Sequence, residues 1–85
     1  MAELLVRKKA AACVSMKDGL VSYYLWKGKL ESSKETLVMI KASKKQFKKI
    51  ERIIKSASSY DLPEIISLPI QQASREYLSW MSHGY

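Results

Sequence analysis

Val21-Ser22-Tyr23-Tyr24-Leu25-Trp26-Lys27-Gly28-Lys29 is the stretch that decides the fold. Its first six residues are rich in aromatic and branched side chains, which suit a pleated surface and read as a strand. Gly28 then supplies a tight turn, because a residue without Cβ takes positive φ at no steric cost. Downstream, Glu35-Thr36-Leu37-Val38-Met39-Ile40-Lys41 reads as the returning strand. Its four consecutive apolar residues predict burial on both faces. Together the two strands predict an antiparallel hairpin over about residues 20–42.

The elements on either side follow from periodicity and breakers. Toward the N-terminus, Lys17-Asp18-Gly19 predicts a turn. Ala10–Val14 is small and apolar, and a helix gives way to a strand there, near Cys13. Residues 2–9 read as the end of a helix. Leu4, Leu5 and Lys8 share a face, and basic residues crowd the last turn, where they suit the macrodipole.

On the other side, Ser43-Lys44-Lys45-Gln46 matches a capping box. Phe47, Ile50, Ile53 and Ile54 then form an apolar stripe at helical spacing, and the helix is expected to end near 56–59. Pro63 and Pro69 bracket Glu64-Ile65-Ile66-Ser67-Leu68, which reads as a strand. Ser74-Arg75-Glu76 caps a last short helix carrying Tyr77, Leu78, Trp80 and Met81. The predicted order is helix, strand, strand, helix, strand, helix. That order implies an α+β fold with helices on one face of an antiparallel sheet.

Length and composition narrow the function classes. The 85 residues suffice for one domain with one core. A domain this small buries about 60% of its unfolded surface, and oligomerisation commonly makes up the shortfall. Five tyrosines and two tryptophans exceed what so small a core readily buries, and their amphipathic rings suit subunit interfaces. Cys13 is the only cysteine, so no internal disulfide exists, which fits a reducing compartment. Three basic residues, Arg7, Lys8 and Lys9, stand where the apolar core of a signal peptide would continue. No apolar run approaches the about 20 residues of a transmembrane helix, so a cytoplasmic chain without membrane association is expected.

Four segments, in order, resemble the CutA family of divalent-cation tolerance proteins. They are Ala11-Ala12-Cys13-Val14, Tyr24-x-Trp26-x-Gly28-Lys29, Tyr60-x-x-Pro63-Glu64-Ile65-Ile66-x-Leu68-Pro69, and Tyr77-Leu78-Ser79-Trp80. The resemblance spans about residues 3–81. It implies a ferredoxin-like α+β sandwich assembled as a homotrimer, with long strands pairing across subunit boundaries and Trp26 near them. It also implies a non-enzymatic role in tolerance of divalent metal ions, copper above all, with weak metal binding. One departure is large: family members begin with a β-strand and the first helical turns before the segment matching Glu3, and this chain lacks that usual first strand. A fragment, an alternative start, or another segment or subunit filling the gap would each account for it.

The resemblance carries a proposed interfacial cleft onto Trp26, Lys41, Tyr60 and Glu64. A lysine and a carboxylate beside an indole suit a small ion, but a buried ion pair and a packed aromatic that fix the trimer are the favoured reading, and the two are not exclusive. The family's copper ligands do not carry over. The first-strand cysteine is absent, and the histidine positions before Tyr60 hold Ala57 and Ser58. Cys13 is the remaining candidate ligand for copper or zinc, though a lone cysteine in an apolar stretch is more often a core residue. His83 is the only histidine and is expected in a frayed tail. A divalent cation such as copper is the one cofactor class in view.

Enzymatic chemistry finds no support. One terminal histidine makes a nucleophile–base–orienter set improbable, and no Gly-rich phosphate loop is present. Glu64 and Glu31 or Glu35 lie on different elements, so nothing pairs their carboxylates. The alternative is an anion or nucleic-acid binding module using the basic helix 44–55, where Lys44, Lys48, Arg52 and Lys55 form one stripe. The net charge of +7 permits it. A lysine-covered outer face is nonetheless the default for an amphipathic helix, and no aromatics interleave to stack bases. On the sequence, nucleic acid is therefore disfavoured.

Overall fold

A computed structural model describes residues 1–58 and 63–83. Its frame is a long antiparallel hairpin of β1 (Cys13–Trp26) and β2 (Lys29–Lys41). Register runs from Cys13 opposite Lys41 at the open end to Trp26 opposite Lys29 at the tip. The connection is the two-residue loop Lys27-Gly28, with φ of 52° and 81°. Two positive φ values mark the type I′ turn, whose twist matches that of the flanking strands. Gly28 takes this conformation freely, whereas Lys27 takes it under strain.

The hairpin begins seven residues earlier than the sequence suggested, and Lys17-Asp18-Gly19 is not a turn. It is a β-bulge within one continuous strand: Asp18 and Gly19 stand opposite Thr36 alone, between the pairs Lys17–Leu37 and Leu20–Glu35. Gly19 has φ 88°, and the Thr36 hydroxyl donates to the Asp18 carboxylate at 2.7 Å. Gly and Asp suit both a turn and a bulge, and the partner strand decides between them. The extra residue switches the parity of β1. Val14 and Met16 share a sheet face with Val21, Tyr23 and Leu25, by alternation from the observed register.

Helix α1 spans Ala2–Arg7 and closes on Lys9, which has φ 58°. The Lys9 amide donates to the Val6 carbonyl at 3.0 Å and the Ala10 amide to the Leu5 carbonyl at 2.9 Å. This is a Schellman closure, with lysine where glycine is usual. It turns the chain so that Leu5, Ala10 and Ala11 are fully buried. A 3-10 turn, Lys44–Gln46, leads into α2 (Phe47–Ala57). Ser43 stands at the N-cap by backbone, but its side chain makes no cap hydrogen bond, so the expected capping box is not formed. The tighter 3-10 turn replaces the first α-helical turn that such a box would serve.

Ile50 completes the small core with Leu5, Ala10 and Ala11, and Val14, Ile40, Ile53 and Ile54 pack against it. The core thus joins α1, α2 and the open end of the hairpin. The predicted strand over 64–68 is not formed: residues 63–74 hold no regular element, and Ile66 and Leu68 are exposed. A strand needs a partner ladder, and no neighbouring edge meets this segment among the described residues. Helix α3 (Arg75–His83) forms as expected, with the Tyr77 amide donating to the Ser74 hydroxyl at 3.2 Å. His83 is its last residue. The fold is α+β, with a two-stranded antiparallel sheet and helices.

Candidate functional site

Of the expected cleft residues, Trp26 and Lys41 stand at opposite ends of the hairpin. Lys41 pairs with Cys13 at the open end of the hairpin, and Trp26 pairs with Lys29 at its tip. At about 3.3 Å per residue they stand roughly 40 Å apart. Trp26 is 48% exposed. Glu64 is exposed and begins the irregular segment after Pro63. Tyr60 lies outside the described residues.

What Lys41 does meet is a polar cluster that sequence reading missed. Alternation along β1 puts Cys13 and Ser15 on one face, and register puts Lys41 beside them. The Lys41 ammonium donates to the Ser15 hydroxyl at 2.7 Å and lies 3.8 Å from the Cys13 sulfur. The cluster is half-buried. An ammonium this close opposes a second cation at the sulfur, so the cluster suits a thiol held in place better than a metal ligand. Nowhere among the described residues do three His, Cys, Asp or Glu side chains gather as a metal site would require. The signal for the cluster was the pairing of residues 13 and 41, which needed the long register.

Open surface depressions among the described residues include two. One is lined by Ala73, Arg75, Leu78, Ser79 and Ser82, the other by Ala2, Glu3, Val6, Arg7 and Val14. Neither contains Trp26, Lys41 or Glu64. The more informative surface is the hairpin beyond the bulge. Tyr23 is 73% exposed, Leu25 72% and Leu30 73%, and by register all three share one face. Tyr24 and Trp26 lie on the other, also exposed.

The accessible surface is 7347 Å², whereas a compact monomer of 9.7 kDa exposes about 5,100 Å² by size scaling. The radius of gyration is 14.9 Å against about 12 Å for a compact domain of this length. The excess, about 2,200 Å² per chain, falls within the range of obligate subunit interfaces. None of the described helices is long and apolar enough to cross a membrane.

Comparison with known proteins gives a consistent picture. The family model described as CutA1 divalent ion tolerance protein matches residues 1–84. A divalent-cation tolerance protein CutA of Thermus thermophilus is 38% identical over 81 residues, covering 95% of this chain and 79% of that protein. A CutA homolog of Xenopus laevis is 42% identical over 77 residues, 91% of this chain; the chain spans about half (51%) of that protein's length. The solved Thermus thermophilus divalent cation tolerance protein superposes with a TM-score of 0.90 at 39% identity, over 94% of this chain and 78% of that one.

Proposed function

Because this chain belongs to the CutA1 divalent ion tolerance family, we propose that it acts as a non-enzymatic homotrimer serving tolerance of divalent metal ions, copper among them, in the cytoplasm. The observation that carries the assembly is the bare distal hairpin. Leu25 and Leu30, cross-strand partners at the tip, are each more than 70% exposed. Covering such apolar surface is the main favourable term in association. Three copies closing around one another would bury about 2,200 Å² each, at three interfaces of obligate size. In that assembly the sheet extends across subunits toward a ferredoxin-like sandwich. The exposed Ile66–Ile70 segment is available to pair with a neighbouring strand edge.

The same closure would bring Trp26 of one copy toward Lys41 of another, since one chain holds the two at opposite ends of the hairpin. The cleft is accordingly an intersubunit feature, with the indole of one copy set against the lysine and carboxylate of another. Metal is held weakly. Cys13 has an ammonium neighbour, and the family's histidine positions carry Ala57 and Ser58.

Multi-angle light scattering tests the assembly. The expected mass is three times 9.7 kDa, roughly 29 kDa, across dilution and with or without added copper. A monomer mass independent of concentration overturns the proposal.

A further inference from the structure

The formal charge of +7 is not spread over the molecule. The helical layer, residues 2–9 and 44–57, holds seven lysines and two arginines against only Glu3 and Glu51. Its balance is therefore +7, the whole net charge of the chain. The remaining six cations and six anions cancel. We infer that this layer is a docking surface for the phosphate backbone of duplex nucleic acid, bound without reading sequence.

The structure adds to the sequence stripe in three ways. First, it joins two elements into one patch: the Lys49 ammonium donates to the Lys8 carbonyl at 2.8 Å, bringing the basic end of α1 against α2. Second, Lys44, Lys48, Arg52 and Lys55 all face solvent, with Lys48 and Lys55 flanking Glu51 at 3.9 and 3.6 Å. Third, three cations sit where stability disfavours them. Lys9 occupies the left-handed closure of α1, a glycine position. The first turn of α2 has no acidic residue and follows Lys44 and Lys45, although the helix dipole favours acids there. Local rules broken together on one surface point to a use for the charge.

The partner follows from what the patch lacks and how it is held. A bilayer-bound helix inserts its apolar face, but Ile50, Ile53 and Ile54 of α2 are committed to the core. Single strands bind by stacking on aromatics, and the layer's only aromatic is the half-buried Phe47. Lysines act as point charges, and with two arginines in nine the patch suits phosphate contact, not bidentate reading of base edges. The cations stand on regular helix. Its 3-10 turn and α2 run about 22 Å, long enough to lie along several phosphates of a rigid duplex strand.

This inference does not depend on the metal or trimer reading. Its test is fluorescence anisotropy of a labelled 20-base-pair duplex titrated with the full chain at 50 and 200 mM salt. With about four phosphates neutralised, affinity falls on the order of 100-fold between the two salts, irrespective of sequence. Combined Lys44→Gln, Lys48→Gln, Arg52→Gln and Lys55→Gln should abolish this binding. Lys17→Gln with Lys34→Gln, on the hairpin, should leave it unchanged. Circular dichroism and light scattering check that the quadruple variant keeps its fold. If it does not, Lys48→Gln and Arg52→Gln singly should each lower the salt slope by about one. No binding at 50 mM, salt-insensitive binding, or equal loss in the hairpin variant overturns the inference. Tighter binding to inorganic polyphosphate, or to phosphatidylcholine vesicles with 30% phosphatidylserine, overturns the assigned partner.

Discussion

The two ends of the hairpin are built from similar residues and meet opposite fates. At the open end, Val14 and Ile40 are cross-strand partners packed beneath the core of Leu5, Ala10, Ala11 and Ile50. At the tip, Leu25 and Leu30 are also cross-strand partners, and both are more than 70% exposed. Strand pairing is satisfied equally at each end. What differs is the covering layer, since α1 and α2 reach only the open end. Charge divides along the same line. The covering helices carry the entire net charge, while the rest of the chain balances to neutrality. A neutral, apolar surface favours association and a strongly charged one resists it. One end of the molecule is thus covered by its own helices, and the other is left bare.

The largest effects should come from truncating one leucine at each end. Leu5 is fully buried. Leu5→Ala should cost about 2–5 kcal/mol, as large-to-small core substitutions do. Leu25→Ala on a bare surface would change stability by less than about 0.5 kcal/mol. Covered by other copies, it should instead cost nearly as much as Leu5→Ala, with a melting temperature that rises with protein concentration. Thermal unfolding at several concentrations reads both. A negligible, concentration-independent effect of Leu25→Ala would break the comparison.

A smaller effect separates backbone strain from packing. Lys9 and Lys27 both hold left-handed φ, at the closure of α1 and at the hairpin turn. Lys9→Gly and Lys27→Gly should each raise stability by up to about 1 kcal/mol, because glycine removes the Cβ penalty. Gly28→Ala should lower it by about 1 kcal/mol. A Cβ there meets nothing within 4 Å, so the cost is conformational alone. Chemical denaturation with an unchanged slope would confirm that only the native state's energy moved. Lys9→Gly also removes one cation of the helical patch, so gained stability with weakened duplex binding would link that strain to use of the charge.

Local signals were legible in the sequence, and pairing signals were not. The hairpin, the apolar stripe of α2 and the cap of α3 depend on neighbours within a few residues, so Trp26, Phe47–Ile54 and Ser74 read correctly. Asp18-Gly19 misread as a turn because a bulge differs from a turn only in what lies across from it, here Thr36. Glu64–Leu68 has strand composition, but composition cannot supply a partner edge. The Cys13–Ser15–Lys41 cluster required the register of a 28-residue separation. Of the expected cleft, Trp26 and Lys41 were named from resemblance, and they stand at opposite ends of the hairpin.

The smallest effect tests whether α3 stands by its own local signals. Its N-cap is the best-formed of the helices: the Ser74 carbonyl accepts from the Leu78 amide at 3.0 Å while its hydroxyl accepts from the Tyr77 amide at 3.2 Å. One turn on, the Tyr77 and Trp80 rings lie 5.6 Å apart and add an i,i+3 contact. A nine-residue helix is marginal alone, since nucleation must be offset by packing. Ser74→Ala should therefore cost about 0.5–1 kcal/mol. Hydrogen exchange should localise the loss to α3, with amides of α1 and α2 unchanged. If instead the whole molecule loses protection together, α3 belongs to the same cooperative unit as the covered open end.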